Sequence, residues 1–119
     1  MLIKDVHKIP TLLAADGCLI KEIIHPHNDH TSRNISLALA EVAAGKATRP
    51  HKLAMLELYF ILEGKGLMHI AKETAEVRPG QAVYIPPHEI QYIENISSKP
   101  LRFLCICHPG YDPDQDKLL

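Results

Sequence analysis

The stretch Gly45-Lys46-Ala47-Thr48-Arg49-Pro50-His51-Lys52-Leu53-Ala54-Met55-Leu56-Glu57-Leu58-Tyr59-Phe60-Ile61-Leu62-Glu63-Gly64 decides how this chain is read. From Leu58 to Leu62 every position is apolar, so both alternating faces of a strand would be apolar, the pattern of a strand buried on both sides. Glu57 stands at the entrance to that strand. An ionised carboxylate there is costly unless it meets a cation, a metal ion or several hydrogen-bond donors. A structural ion pair and a functional site both meet that requirement.

Working outward, Gly and Pro punctuate the chain at short intervals, and the segments between them are rich in Val, Ile, Leu, Phe and Tyr, the texture of short strands and tight turns. Strands are expected at about Cys18 to His25, Ile35 to Ala43, Leu56 to Glu63, Leu67 to Ala71, Ala75 to Arg78, Ala82 to Ile85, Ile90 to Asn95 and Leu101 to His108. This many short strands in one 119-residue domain point to a sandwich or barrel. Gly64-Lys65-Gly66 can supply positive φ between two strands, and Pro79-Gly80 suits the centre of a type II turn. Ile9 to Ala15 reads equally as a strand or a helical turn. The tail after Pro109-Gly110, from Tyr111 to Leu119, is polar enough that it is expected to stay mobile.

A second stretch, Gly80-Gln81-Ala82-Val83-Tyr84-Ile85-Pro86-Pro87-His88-Glu89-Ile90-Gln91-Tyr92-Ile93-Glu94-Asn95, completes a pattern with the first. The first stretch resembles the leading motif of the cupins, G-x5-H-x-H-x3-E-x6-G, and the second resembles their following motif, G-x5-P-x-G-x2-H-x3-N. Every spacing is kept across residues 45 to 95. The resemblance implies an all-β fold, a single cupin double-stranded β-helix (jelly-roll) barrel over residues 1–119. In that family the two His and the Glu of the first motif and the His of the second converge on one divalent metal inside the barrel.

Two of those four positions differ here. His51 and Glu57 match, but Leu53 stands in place of the second His and Gln91 in place of the last, while His88 replaces the motif's Gly. Leucine cannot ligate, and the amide oxygen of glutamine is a weaker donor than imidazole toward the later transition metals. The metal set implied by the resemblance is therefore His51, Glu57 and Gln91, holding a divalent ion such as Zn, Mn, Fe or Ni with modest affinity. The same trio can instead hydrogen-bond internally with no metal at all. The resemblance thus leaves two readings open. One is a metal-binding cupin of unassigned activity that acts on or binds a small polar organic molecule in the barrel pocket, metal-dependent and of dioxygenase, isomerase or lyase type if it is an enzyme. The other is a non-catalytic module that binds a sugar or carboxylate.

His25-Pro26-His27-Asn28-Asp29-His30 gathers three imidazoles and a carboxylate in six residues, and reads first as a polar loop between strands. His25 closes an apolar strand and could reach the barrel mouth to replace the imidazole missing at Leu53. Cys105-Ile106-Cys107-His108 invites a zinc reading, but cysteines two apart on a strand share one face, no second Cys or His pair is spaced to complete a tetrahedral site, and they read as small core residues. Tyr59, Tyr84 and Tyr92 read as barrel lining or rim. No Gly-x-Ser-x-Gly elbow and no phosphate-binding Gly-rich loop is present.

The 13 basic and 14 acidic side chains are interspersed, without the basic stripe expected of a nucleic-acid binder. No apolar run is long enough to span a bilayer and no export signal is read at Met1 to Asp5, so no membrane partner is expected. Three cysteines, two of them neighbours on a strand, cannot build a disulfide framework, which favours a reduced, cytoplasmic setting. A homodimer is expected, paired through the outer sheet around Leu58 to Leu62.

Overall fold

A computed structural model describes residues 1–119. All eight expected strands are present, as β2 (Leu19–Ile24), β3 (Ser36–Val42), β5 (Leu56–Glu63), β6 (Gly66–Ile70), β7 (Glu73–Val77), β8 (Ala82–Ile85), β9 (Gln91–Asn95) and β10 (Leu101–His108). Three short strands join them: β1 (Leu12–Leu13), β4 (His51–Leu53) and β11 (Asp116–Leu118). The Ile9 to Ala15 ambiguity resolves as strand, β1 at Leu12–Leu13, with a 3₁₀ turn at Val6–Lys8 just before the segment.

The strands form two antiparallel sheets, one ordered β1-β2-β3-β10-β5-β8 and the other β11-β4-β9-β6-β7. The chain crosses repeatedly between them, which closes the two sheets around one interior. Gly64 has φ +84°, and a side chain there would sit 2.7 Å from the Pro100 carbonyl oxygen, so the turn between β5 and β6 requires glycine. Gly80 has φ +90°, as the turn before β8 demands. His88 has φ +67°, which explains why glycine suits this position in the cupin motif; its side chain is exposed and does not enter the interior.

Ile61, Ile93 and Leu101, each 0% exposed, pack with Phe103, Met68, Ile85 and Val77 as the core between the sheets. Burying each such side chain is worth about 1.5–3 kcal/mol. Register places chemistry beside this core: Glu57 pairs with Cys107, and Tyr59 with Cys105, so all four side chains share the inner face of the six-stranded sheet.

Two expectations are corrected. Strand β5 is not buried on both sides: Glu57, Tyr59 and Ile61 face inward, whereas Leu58, Phe60 and Leu62 are 36%, 41% and 46% exposed. The sheet has a second layer on one face only, so an apolar residue on the other face has nothing in its own chain to cover it. The tail is not loose either. After a 3₁₀ turn at Pro113–Gln115, β11 pairs with β4, Leu118 opposite His51 and Asp116 opposite Leu53. Backbone pairing is indifferent to side-chain polarity, and β4 offers a free edge.

Candidate functional site

Glu57, on β5, is 4% exposed, and both of its oxygens are engaged. Gln91 Nε2, from β9 in the opposite sheet, donates to Oε1 at 2.5 Å, and Tyr59 donates its hydroxyl to Gln91 Oε1 at 3.2 Å. On the other edge of the carboxylate, Cys105 Sγ donates to Oε2 at 2.8 Å and Cys107 Sγ lies 3.5 Å from it. Burial pushes the Glu57 pKa up, a penalty that the thiol and amide bonds and the charge of His51 offset only in part. The neighbouring Cys107 thiol and burial also hold Cys105 well above the ordinary thiol range, so Cys105 sits beneath Glu57 as a protonated donor.

His51 opens β4 opposite Gln91 on β9 and is 4% exposed. Its Nδ1 lies 2.9 Å from Asp116 Oδ1, whose second oxygen accepts the Tyr111 hydroxyl at 2.6 Å. A carboxylate only accepts, so Nδ1 carries the proton, and in the neutral ring Nε2 is left as a bare acceptor. That Nε2 is buried and has no hydrogen-bond partner; Asp16 Oδ2 is 3.7 Å away, beyond hydrogen-bond range. Burial lowers the His51 pKa, but the Asp116 bond and the charges of Asp116, Asp16 and Glu57 outweigh it, and the net shift is upward. For Asp116, burial raises the pKa and the bonds from His51 and Tyr111 reverse it, so the net shift is downward.

A cavity of about 340 Å³ is lined by His51, Leu53, Glu57, Cys105, Cys107 and Asp116, with Gln91 behind Glu57 and outside the lining. Leu12, Leu13, Ala14 and Ile20 add apolar wall to the same cavity. The volume falls at the small end of the range for ligand pockets, about 300–1,000 Å³.

Of the residues singled out in the sequence, Glu57 and Gln91 are in direct contact, and His51 lines the same cavity as Glu57. His25 does reach this cavity and is 5% exposed, but both its nitrogens are taken: Nε2 is 2.8 Å from the Tyr111 carbonyl oxygen and Nδ1 accepts the His27 backbone N–H at 3.1 Å. It therefore offers no lone pair in place of the missing imidazole. Cys105 and Cys107 do pack as inward-facing residues, yet they also hold Glu57, a role their spacing alone does not reveal. Asp16, Tyr111 and Asp116 escaped the sequence reading altogether. Asp116 lies 65 residues from His51, and no local pattern announces such a pair.

The Cupin domain family profile matches residues 38–107, and the chain belongs to that family. It is 41% identical over 116 residues to the uncharacterized protein MJ1618 of Methanocaldococcus jannaschii, covering 97% of this chain and 92% of that protein. Its structure superposes on the polyketide cyclase RemF of Streptomyces resistomycificus with TM-score 0.84 at 20% identity, over 100% of this chain and 85% of the other. A structure of Bacillus subtilis oxalate decarboxylase, described for its Mn(II) centres, aligns with TM-score 0.78 at 25% identity, over 90% of this chain but 29% of that one. The three-imidazole, one-carboxylate set of the family is incomplete here. Leu53 is 2% exposed and packs with Met55 and Cys107, and Gln91 spends its amide on Glu57 and Tyr59. What fits an ion is narrower: an orphaned, oriented imidazole nitrogen and a buried carboxylate in one pocket.

Proposed function

We propose that this chain, acting as one cupin unit, is a metal-binding protein whose pocket takes a small organic molecule with an apolar body and one polar group. A divalent ion, Zn, Mn, Fe or Ni, would be held by His51 Nε2, the Glu57 carboxylate and the Gln91 amide oxygen, the amide turning over to present it. Such an ion supplies Lewis acidity to a bound oxygen. The chain's own residues fix the rest: Asp116 sets the tautomer of His51, and the apolar walls exclude water from the ligand's body.

The observation that carries this reading is the unpartnered Nε2 of a buried, carboxylate-held imidazole. Leaving such a group unsatisfied costs about 1–3 kcal/mol, a cost that a ligand removes. The test is calorimetric titration of divalent ions into protein purified without chelator or histidine tag. One equivalent should bind the wild type, and His51→Ala and Glu57→Gln should each weaken binding at least 10-fold, about 1.4 kcal/mol. A folded wild type that binds no ion sinks the reading.

One observation favours the alternative of a non-catalytic, metal-free module: Glu57 already has a donor on each oxygen. In that case His51 Nε2 receives the ligand's own donor group directly, and the titration separates the two readings. The exposed apolar row Leu58, Phe60, Leu62 and Tyr84 supports a homodimer paired through this sheet, which light scattering would refute by a monomer mass at micromolar concentration. Three free thiols support a reducing, cytoplasmic setting, and the absence of any helix long and apolar enough to cross a membrane is consistent with it.

A further inference from the structure

The two edges of the Glu57 carboxylate face different chemistry. Oε1 meets the amide of Gln91, whereas Oε2 meets two thiols. The ligand atoms of Glu57, Cys105 and Cys107 all lie within 4.8 Å of one another. Tetrahedral zinc, with Zn–S of about 2.3 Å and Zn–O of about 2.0 Å, sets its sulfur and oxygen donors about 3.5 Å apart. Cys107 Sγ is already 3.5 Å from Oε2, and Cys105 Sγ, at 2.8 Å, needs to withdraw by less than an ångström.

We infer that Glu57, Cys105 and Cys107 form a zinc site on the Oε2 edge of the carboxylate. The inference shares Glu57 and its pocket with the function proposed above, but uses the opposite edge and leaves the Gln91 bond intact. Three protein ligands with one position open is the arrangement of zinc sites that accept an outside ligand. The open position faces the cavity that the side chain of His51, 5% exposed and with an unpartnered Nε2, also lines.

Charge accounting supports the exchange. Entry of Zn²⁺ with departure of two thiol protons leaves the net charge of the cluster unchanged, because the two thiolates balance the ion. No additional charge is buried, which removes the usual objection to filling such a site. Thiolate donors also select among ions, since they favour zinc and other soft ions over manganese or magnesium. The site proposed above, with one imidazole and oxygen donors from Glu57 and Gln91, lacks that thiolate selectivity.

The test uses the full-length, reduced, untagged protein with Co²⁺ as a spectroscopic stand-in for Zn²⁺. The wild type should take one equivalent and develop a thiolate-to-cobalt charge-transfer band in the near ultraviolet that zinc abolishes. Cys105→Ser and Cys107→Ser should each reduce that band and weaken zinc binding at least 10-fold, while Gln91→Ala should keep the band. Should a serine variant fail to fold, X-ray absorption at the zinc edge of the wild type still reads sulfur in the first shell. One equivalent bound with no band and no sulfur scattering overturns the thiolate site and leaves the function proposed above standing. Absence of any bound ion overturns both.

Discussion

Ile61 and Glu57 lie four residues apart on the same inward face of β5, and they are almost equally inaccessible, 0% and 4% exposed. Ile61 is held by close packing against the core, and Glu57 by hydrogen bonds from one amide and two thiols. Tyr59, midway, belongs to both: its ring packs on Phe103 with centroids 4.3 Å apart, and its hydroxyl reaches Gln91. One strand therefore runs from an end that stabilises the fold to an end that is expensive to maintain. Equal burial conceals opposite energetics, and the expensive end is where function is to be sought.

The largest effect should come from the packed end. Ile61→Ala leaves a cavity in the core and should cost about 2–5 kcal/mol. Glu57→Gln keeps the shape and removes a buried charge, so in the metal-free protein it should be nearly neutral or stabilising. Urea unfolding of the two variants side by side measures the contrast. If Glu57→Gln proves as damaging as Ile61→Ala, the carboxylate is a structural group and the two ends do not differ as argued.

The second effect is smaller and depends on pH. Asp116→Asn removes the charged partner of His51 and should cost about 1.5–3 kcal/mol, the range for a hydrogen bond to a charged group. The Asp116 pKa is lowered on folding, so its contribution is present above its unfolded value, about 3.9, and fades as pH falls through the folded value. The His51 pKa is raised, so its contribution is present below about 6.5 and fades as pH rises through the folded value. The stability gap between wild type and Asp116→Asn should therefore be widest at mildly acidic pH and narrow on both sides. A gap that is flat from pH 4 to 9 would mean that the pair is not coupled. The raised pKa of Glu57 adds its own slope, with stability lost as pH rises through its folded value, but it acts equally in both proteins and cancels from the difference.

How much of this comparison the sequence discloses follows from range. The eight longer strands are legible because runs of β-formers between Gly and Pro are local signals. Glu57 is legible because a carboxylate opening an apolar run is anomalous wherever the run packs. Strand β4, three residues after a proline, is too short to carry a pattern, and β11 is hidden in a polar tail because its partner lies more than sixty residues earlier. The thiol contacts with Glu57 depend on the register of β10 against β5, which two cysteines on one strand cannot specify. The outward face of β5 misleads for a physical reason: an apolar face to be covered by a second copy and one covered by its own chain have the same sequence pattern.

The smallest effect would sharpen the comparison by enriching the open end. His51 and Leu53 are two apart on β4, both buried, and both line the cavity. Leu53→His places a second imidazole where the wild type has a side chain that cannot ligate, leaving Gln91 in its bonds to Glu57 and Tyr59. Imidazole is a good ligand for zinc and nickel. The added donor should tighten binding of either ion at least 10-fold, about 1.4 kcal/mol. Without metal the variant should be less stable than the wild type, because Leu53 packs against Met55 and Cys107 and a polar ring fills that space poorly. Supplying the ion should recover stability by mass action, since it binds the folded form. His51→Ala in the same background should abolish the gain if both imidazoles reach one ion. Calorimetry showing no tightening in a folded Leu53→His protein would mean that β4 and Glu57 do not converge on a common ion, and the open end of the barrel would then be a pocket for an organic ligand alone.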